Sequence, residues 1–404
     1  MNQTPLYQRH DSAGAKWGEF GGFAMPLWYE AGLIREHRAV LLAAGLFDTS
    51  HMSMLTIAGA SARELLQATL TRDLETALPG KKPLCPGRAA YGFFLDERGH
   101  VIDDVIVFQE VPDRYFVVVN AAMDGPVIAH LQAHAAADVS FEILTGTLAK
   151  LDLQGPKAGD ILERVIGDQA RPFPAFSFRG HYGASSTVKT RSGAPVLVSR
   201  SGYTGEFGFE LYLPAEYATA VWDEILAQGQ DCGILPCGLG ARDSLRAGAM
   251  LPLSHQDIGD WPCIRHPWEF ALPRADGGWS KSFIGDRALE QASDASYTYA
   301  FVGENNRKVP VGRDTRVLLA DQDIGHVLTC VTDISIERVA GTILRIGTES
   351  APADFAPRGL ACGFVYLDQN VEPGTSLLLV NGRRRIQVTI ATTVRPGRTF
   401  RMRW

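Results

Sequence analysis

The stretch Ala89-Ala-Tyr-Gly-Phe-Phe-Leu-Asp-Glu-Arg-Gly-His-Val-Ile-Asp-Asp-Val-Ile-Val-Phe-Gln109 holds two apolar runs separated by a short polar segment. The runs Ala89–Asp96 and Val101–Gln109 have the composition of β-strands, and residues 97–100 form a good hairpin turn around Gly99. Amphipathic helices are predicted on both sides of this hairpin, at 61–70 and 125–136. Hairpins beside helices favour an α+β fold over a doubly wound parallel sheet.

The rest of the chain predicts two further structural units. A similar mixture of strands and helices restarts near residue 141, which indicates a second α+β unit. From about residue 300 the sequence pattern changes to short strand-like runs separated by Gly, Pro, Asn and Asp. This spacing is typical of a small β-barrel or sandwich. With 404 residues, the chain is long enough for two or three domains.

Composition and charge exclude several classes of function. The formal net charge of −6 argues against general nucleic-acid binding, which needs a basic surface to displace counterions. No apolar run approaches the ~20 residues of a membrane-spanning helix, and the N-terminus lacks the pattern of a signal peptide. The six cysteines have no zinc-ligand spacing, so we expect reduced thiols, no metal, no membrane partner and a cytoplasmic location.

Two adjacent carboxylates, Asp103 and Asp104, stand in the second strand of the hairpin. Neighbours in a strand point to opposite faces, so one of the pair is expected to face inward. An inward carboxylate loses hydration unless a partner compensates it, which makes it a candidate for acid–base or ligand-binding work. The alternative is a pair of residues that only caps the turn.

Three other segments are also unusual for a structural role alone. Within Ser201–Glu210, the seven residues 202–208 hold three glycines and two aromatic residues, so the backbone can approach a flat ligand closely. Gly238–Arg246 places Arg242 and Arg246 four residues apart, on one face of a predicted helix. The third segment, Leu46–Met52, contains Asp48 and His51, and Val117–Ala122 follows it much later with Asn120.

In this order and at these distances, the segments resemble the glycine-cleavage T-protein (aminomethyltransferase) family. Further stretches that resemble the same family are Thr4–Tyr7, Phe20–Pro26, Leu153–Pro156 and Phe283–Gly285. The resemblance extends from residue 4 to about residue 390. It implies an α+β fold of two ferredoxin-like units followed by a small C-terminal β-barrel, arranged around a central folate channel.

The resemblance also implies a domain division and a cofactor. A discontinuous folate-binding unit would comprise 1–50 and 140–295, a second α+β unit 51–139, and the barrel 296–404. The expected cofactor is tetrahydrofolate, onto which the family moves a one-carbon unit from a substrate nitrogen, oxygen or sulfur. The expected partner is a small methyl or aminomethyl donor, which could be carried on a lipoyl protein.

By position, the resemblance places the key acid of the family on Asp104 and its pterin-holding residues on Tyr203 and Glu210. The folate-site arginine falls on Arg242, and a further active-site position falls on Asn120. A carboxylate such as Glu210 can accept both parallel N–H groups of a pterin edge, and Tyr203 can stack on the ring. Arg242 could orient Asp104 or hold an anionic part of folate, and the sequence leaves both roles open.

Several positions depart from the family pattern, among them Phe23 and Ala247–Met250, so three functions stay open. The first is an aminomethyltransferase that forms methylenetetrahydrofolate. The second is a folate-dependent demethylase of a small S-, O- or N-methylated compound, for which Phe23, Trp268 and Met250 would suit a pocket, although all three could equally be core residues. The third is a folate-binding protein without catalysis.

The C-terminus carries four arginines, Arg395, Arg398, Arg401 and Arg403. This basic edge is interpreted either as a solvated tail or as a contact for an anion or a partner.

Overall fold

The computed structural model describes residues 1–76, 82–170, 174–293 and 296–402. The helices in these ranges are α1 (Tyr7–Ser12), α2 (Leu33–Leu42), α3 (Ala62–Thr69), α4 (Asp124–Gln132), α5 (Ala158–Ile166), α6 (Ala218–Gln228), α7 (Leu239–Gly248) and α8 (Asp286–Glu290). Within the same described ranges, no helix has the length and the apolar character that a membrane span requires.

The strands are numbered in chain order in two groups. Before the barrel they are β1 (Asn2–Gln3), β2 (Lys16–Phe20), β3 (Phe23–Trp28), β4 (Ala44–Asp48), β5 (Ser53–Ala58), β6 (Arg88–Leu95), β7 (Val101–Val111), β8 (Arg114–Val119), β9 (Ser140–Ile143), β10 (Leu148–Gln154), β11 (Phe178–Gly180), β12 (Leu197–Ser199), β13 (Gly208–Pro214), β14 (Ile234–Cys237), β15 (Arg274–Ala275) and β16 (Gly278–Trp279). In the barrel region they are β17 (Tyr297–Gly303), β18 (Gly312–Leu319), β19 (Gln322–Asp333), β20 (Ile336–Val339), β21 (Thr342–Arg345), β22 (Leu360–Leu367), β23 (Ser376–Asn381) and β24 (Arg384–Ile390).

The first large sheet has six strands in the order β11-β12-β13-β10-β4-β14, with only β14 parallel to its neighbour. Helices α5 and α6 cover one face of this sheet. Helix α5 buries Ala158, Ile161, Leu162 and Val165, which recur at helical spacing, and it stops where Gly167 adopts φ +70°. The odd-numbered apolar residues of β10 and β13 meet these helices, so the even-numbered ones face away.

The second large sheet is antiparallel, with five strands in the order β6-β7-β8-β5-β9. Helices α3 and α4 cover one of its faces. Its other face meets the first sheet through aromatic side chains. The ring centroids of Phe116 and Tyr212 lie 5.1 Å apart, and those of Phe108 and Tyr212 lie 5.7 Å apart. Two sheets therefore face each other, and residues on their inner faces can share one site.

The C-terminal region is a closed six-stranded barrel in the order β17-β22-β19-β18-β23-β24. Its interior is filled by aliphatic residues such as Val317, Val327 and Leu379. The predicted α+β fold with a C-terminal barrel, and the hairpin of β6 and β7, are confirmed. The domain boundaries stay a prediction. Strand β9 at Ser140–Ile143 pairs with β5 of the second sheet, and the predicted boundary at 295 lies outside the described residues.

Two of the three described arginines of the basic C-terminus are held by the protein, whereas Arg401 is exposed. Arg395 is fully buried and donates to Asp333 at 2.8 Å, and its Nε lies 3.3 Å from Glu206. Arg398 donates to the carbonyl oxygen of Ala249. These arginines tie the end of the chain to the first sheet region and to β19, so the partner they contact is the protein itself. Arg403 lies outside the described residues.

Candidate active site

A cavity of about 480 Å³ lies where the inner faces of the two sheets meet. All five residues singled out in the sequence line it: Asp104, Asn120, Tyr203, Glu210 and Arg242. Asp104 lies in β7 of the second sheet and Asn120 directly follows β8, whereas Glu210 lies in β13 of the first sheet. The volume falls within the range of about 300–1,000 Å³ that is usual for small-molecule sites.

Asp104 reaches the cavity because β7 alternates. Ile106 and Phe108, which share its face, belong to the inter-sheet cluster, whereas Val105 and Val107 pack under the helices. One carboxylate oxygen of Asp104 accepts from the hydroxyl of Tyr91 at 2.9 Å, and the other accepts from Asn120 Nδ2 at 2.7 Å. Burial raises the pKa of Asp104, and the neighbouring charge of Asp103 raises it further. An acid of this kind exchanges protons closer to neutral pH.

Asp103 is the fully buried member of the pair, so the inward-facing carboxylate and the cavity-facing carboxylate are different residues. Asn120 joins the two. Its backbone N–H donates to Asp103 at 2.8 Å, and its Nδ2 donates to Asp103 at 2.7 Å as well as to Asp104. Ser254 and His255 approach Asp103 at 3.3 and 3.4 Å. The contacts of Asn120 therefore position Asp104, and its predicted contact with the cofactor stays a prediction.

On the first sheet, four charged side chains form a continuous chain of ion pairs. Arg242 donates to Asp152 at 2.7 Å, Lys150 lies 2.5 Å from Asp152, and Lys150 also lies 2.6 Å from Glu210. The ion pair of Arg242 is with Asp152 and not with Asp104, and its predicted contact with an anionic part of folate stays a prediction. Sequence reasoning missed Lys150 and Asp152, although charged residues at alternate positions of an apolar strand were a usable signal.

Tyr203 presents its ring to the cavity and keeps its hydroxyl occupied. The hydroxyl donates to the carbonyl oxygen of Pro252, and the guanidinium of Arg242 lies 4.8 Å from the ring centroid. The ring is therefore fixed between a backbone anchor and a cation, an arrangement that suits stacking on a flat ligand better than hydrogen bonding to it.

The segment Leu46–Met52 divides between two places. Asp48 lies in a buried cluster, where it accepts from Thr4 at 2.6 Å and lies 3.0 Å from His10 Nε2. His51 instead lines the cavity. Burial, reinforced by the charge of Arg242, lowers the pKa of His51 to about 4. Among the described residues, its Nδ1 has no hydrogen-bond partner, so a buried polar atom is available to a ligand there.

The apolar residues proposed for a demethylase pocket lie elsewhere. Trp268 is buried in the core between the α+β part and the barrel, where its Nε1 donates to the carbonyl oxygen of Met250 at 2.8 Å. Met250 packs against the same core, and Phe23 starts β3 outside the cavity lining. None of the three lines this cavity, and Trp268 and Met250 take the alternative role of core residues. The aromatic side chain that contacts Asp104 is Tyr91, and the ring of Phe270, which also lines the cavity, lies 6.0 Å from the ring of Tyr91.

Comparison with known proteins agrees with this architecture. The family model described as the GCVT N-terminal domain matches residues 6–270. The chain is 37% identical over 346 residues to an aminomethyltransferase of Geobacillus thermodenitrificans, an alignment that covers 85% of this chain and 90% of the relative. It is 35% identical over 380 residues to an aminomethyltransferase of Chlorobaculum parvum, covering 93% and 97%.

A solved structure extends the likeness to the whole fold. The crystal structure of the glycine cleavage system aminomethyltransferase T from Bartonella henselae superposes with a TM-score of 0.76 at 27% identity, covering 96% of both chains. These matches make the chain an enzyme of the transferase class. It belongs to the glycine-cleavage T-protein family, as the ordered motifs predicted.

Proposed function

We propose that this protein transfers a one-carbon unit to tetrahydrofolate, and that it acts as an aminomethyltransferase. In this reaction an aminomethylated lipoyl carrier protein releases ammonia, and methylenetetrahydrofolate forms. The observation that carries the proposal is that Asp104 on the second sheet, Glu210 on the first sheet and Tyr203 in the segment before β13 line one cavity. The relatives named aminomethyltransferase support the choice of donor.

The residues of the cavity fit a folate. Glu210 is nearly buried and uses one oxygen for Lys150 and the other for Ser201 and, at 3.5 Å, for Tyr212, so the oxygen that faces Lys150 keeps a lone pair for a pterin N–H. Tyr203 offers a ring face, and the unpartnered Nδ1 of His51 offers a further polar contact. When bound, tetrahydrofolate would supply the nitrogen that accepts the one-carbon unit.

The role proposed for Asp104 follows from its environment. Tyr91 and Asn120 fix the orientation of its carboxylate. This lowers the entropic cost of reaching a reactive geometry. Its raised pKa suits a group that holds or moves a proton beside the accepting nitrogen during the transfer. A positioned acid–base group of this kind contributes roughly 10²–10⁴-fold to rate.

A second candidate is a folate-dependent demethylase. The observation in its favour is the ring of Tyr91, which donates to Asp104, and the neighbouring ring of Phe270 in the lining of the same cavity. Aromatic faces together with a carboxylate also suit a small methylated cation. This candidate would produce methyltetrahydrofolate, so the oxidation level of the product distinguishes it from the first.

Cytoplasmic location belongs to the same proposal. The cysteines in the described residues are free thiols, and four of them are buried, as is usual in a reducing compartment.

The test is an anaerobic calorimetric titration of the purified protein with tetrahydrofolate, followed by mass spectrometry of the folate after incubation with candidate donors. We expect saturable binding, with methylenetetrahydrofolate formed from an aminomethylated lipoyl carrier. Methyltetrahydrofolate formed from a methylated small molecule would select the demethylase. Binding without any product from either donor would leave a folate-binding protein, and no binding would reject all three.

A further inference from the structure

Strand β10 carries two opposite charges into the cavity side of the first sheet. Lys150 and Asp152 occupy alternate positions and share one face, whereas Ala149, Leu151 and Leu153 belong to the core under α5 and α6. The exposure of Lys150 is 2%, and Asp152 is fully buried. Removing two charges from water is costly, so both side chains need hydrogen bonds and ion pairs that replace their hydration.

The arrangement uses the full donor capacity of the lysine. The ammonium of Lys150 contacts Asp152 at 2.5 Å, Glu210 at 2.6 Å and Thr49 Oγ1 at 3.1 Å, which accounts for its three N–H bonds. Asp152 is equally occupied, because it accepts from Thr49 at 3.0 Å and from Arg242 at 2.7 Å in addition to Lys150. Two cations and two carboxylates thus form a neutral chain in which Lys150 has no free N–H group and Asp152 accepts three hydrogen bonds.

We propose that Lys150 and Asp152 are positioning residues that hold Glu210 and Arg242 in register at the folate site. This inference rests on the proposed folate-dependent function. Asp152 faces Glu210 across the β10–β13 ladder, so the rigid sheet sets their separation. Lys150 bridges the two carboxylates, which would otherwise repel each other at this distance.

The contact with Lys150 also determines how many acceptor sites of the Glu210 carboxylate stay free for a ligand. Lys150 takes one of its oxygens, and the Ser201 hydroxyl donates to the other. The Tyr212 hydroxyl also donates to this second oxygen, at 3.5 Å, so of about four acceptor sites one remains, on the oxygen that faces Lys150, for an N–H group of a flat ring. Without the ammonium, Glu210 stays beside Asp152 in a site of low polarity, where a carboxylate takes up a proton more readily and becomes a poorer acceptor.

The first experiment compares tetrahydrofolate binding of the full-length wild type with Lys150→Met at pH 6 and pH 8, by calorimetry under anaerobic conditions. We expect the dissociation constant to rise on the order of tenfold or more, because one partner of a buried charge pair is removed. The rise should be larger at pH 6 than at pH 8, and kcat at saturating folate should change less than KM. Equal binding by the variant and the wild type at both pH values would overturn the proposal.

Two further variants serve as a fallback and as a matched control. Lys150→Gln retains a donor and loses the charge, so it serves if Lys150→Met does not fold, and the same pH-dependent loss is expected. Lys157→Met makes the same chemical change at a side chain that is 52% exposed and paired with Asp160 at 3.6 Å. Binding by Lys157→Met should equal that of the wild type at both pH values.

A double-mutant cycle asks whether Lys150 acts through Glu210. If it does, Lys150→Met should weaken binding much less in a Glu210→Gln background than in the wild type. Fully additive losses would overturn the proposal, because a lysine that only stabilises the fold would weaken both backgrounds equally. Failure of the wild type itself to bind tetrahydrofolate would reject the proposed function instead, so the two failures are distinguishable.

Discussion

Asp104 differs from Asp103 in one respect that matters for chemistry, namely which face of β7 it occupies. Asp103 is fully buried and held by Asn120, whereas Asp104 lines the cavity with Tyr91 and Asn120 as fixed donors. The same two donors orient its carboxylate and leave it accessible to a ligand. At the residue scale, function depends on Asp104 facing the cavity while Asp103 stays buried beside it.

We predict that Asp104→Asn lowers turnover by roughly 10²–10⁴-fold, because the amide cannot carry the proton that the carboxylate exchanges. Tetrahydrofolate binding should stay within a few-fold of the wild type, since Glu210 and Tyr203 are untouched. Turnover is measured by product mass spectrometry and binding by calorimetry. Asp113→Asn, at an exposed position between β7 and β8, is the matched control. Unchanged turnover in Asp104→Asn would remove this residue from the mechanism.

Glu210→Gln tests the opposite wall of the cavity. The substitution replaces a charge-assisted acceptor with an amide and leaves Lys150 with one anion fewer. We expect the dissociation constant for tetrahydrofolate to rise about tenfold to a hundredfold, as is typical for a lost hydrogen bond to a charged group. An unaltered dissociation constant in the calorimetric titration would show that the pterin ring lies elsewhere.

At the scale of elements, the β6–β7 hairpin decides which carboxylate faces the cavity. A one-residue slip in a strand exchanges its two faces, and here it would exchange Asp103 with Asp104. The turn is set by Gly99 at φ +75°, where the backbone N–H donates to the carbonyl oxygen of Asp96 at 2.9 Å. A Cβ at this position would lie 2.7 Å from Leu289 of α8.

We predict that Gly99→Ala destabilises the protein more than Gly146→Ala does. Both glycines have positive φ, +75° and +80°, so alanine is strained at each by about 1–2 kcal/mol. Only Gly99 adds a close approach, because nothing lies within 4 Å of a Cβ built on Gly146. Thermal unfolding midpoints of the two variants measure the difference. Equal midpoints would mean that Leu289 moves aside without cost.

At the scale of the whole molecule, buried neutral histidines link stability to pH. Burial lowers the pKa of His51 and of His266 to about 4. In the unfolded chain a histidine titrates near 6.5, so between these values the unfolded state binds protons that the folded state does not. The stability that these neutral histidines contribute is therefore fully present above about pH 6.5. It is lost as the pH falls from there toward 4.

We predict a fall in the unfolding free energy of about 3 kcal/mol for each of these histidines across that window. The measurement is the thermal midpoint at pH 7.5, 6 and 5. The carboxyl groups with lowered pKa titrate below this range, whereas Glu36, Asp104 and Asp257 have raised pKa values and act in the direction opposite to the histidines. The double variant His51→Gln, His266→Gln should show a clearly shallower dependence on pH. A slope equal to that of the wild type would assign the acid sensitivity to other groups.

The sequence by itself determined the local features of this protein. Alternation in 89–109 predicted a hairpin with two carboxylates on opposite faces, and the glycine and arginine segments predicted the lining of one site. Their order along the chain identified the family, and with it the α+β fold and the barrel. These features are readable because strand and helix periods act over a few neighbouring residues.

The tertiary structure alone decided which charges meet. Arg242 pairs with Asp152 across 90 residues of sequence, and Arg395 pairs with Asp333 across 62. Trp268 and Met250 lie in the core between the barrel and the α+β part, although their apolar side chains suited a pocket equally well. The physical reason is that a buried ion pair depends on how two sheets and a barrel pack, and neither residue of such a pair carries a local signal of its partner.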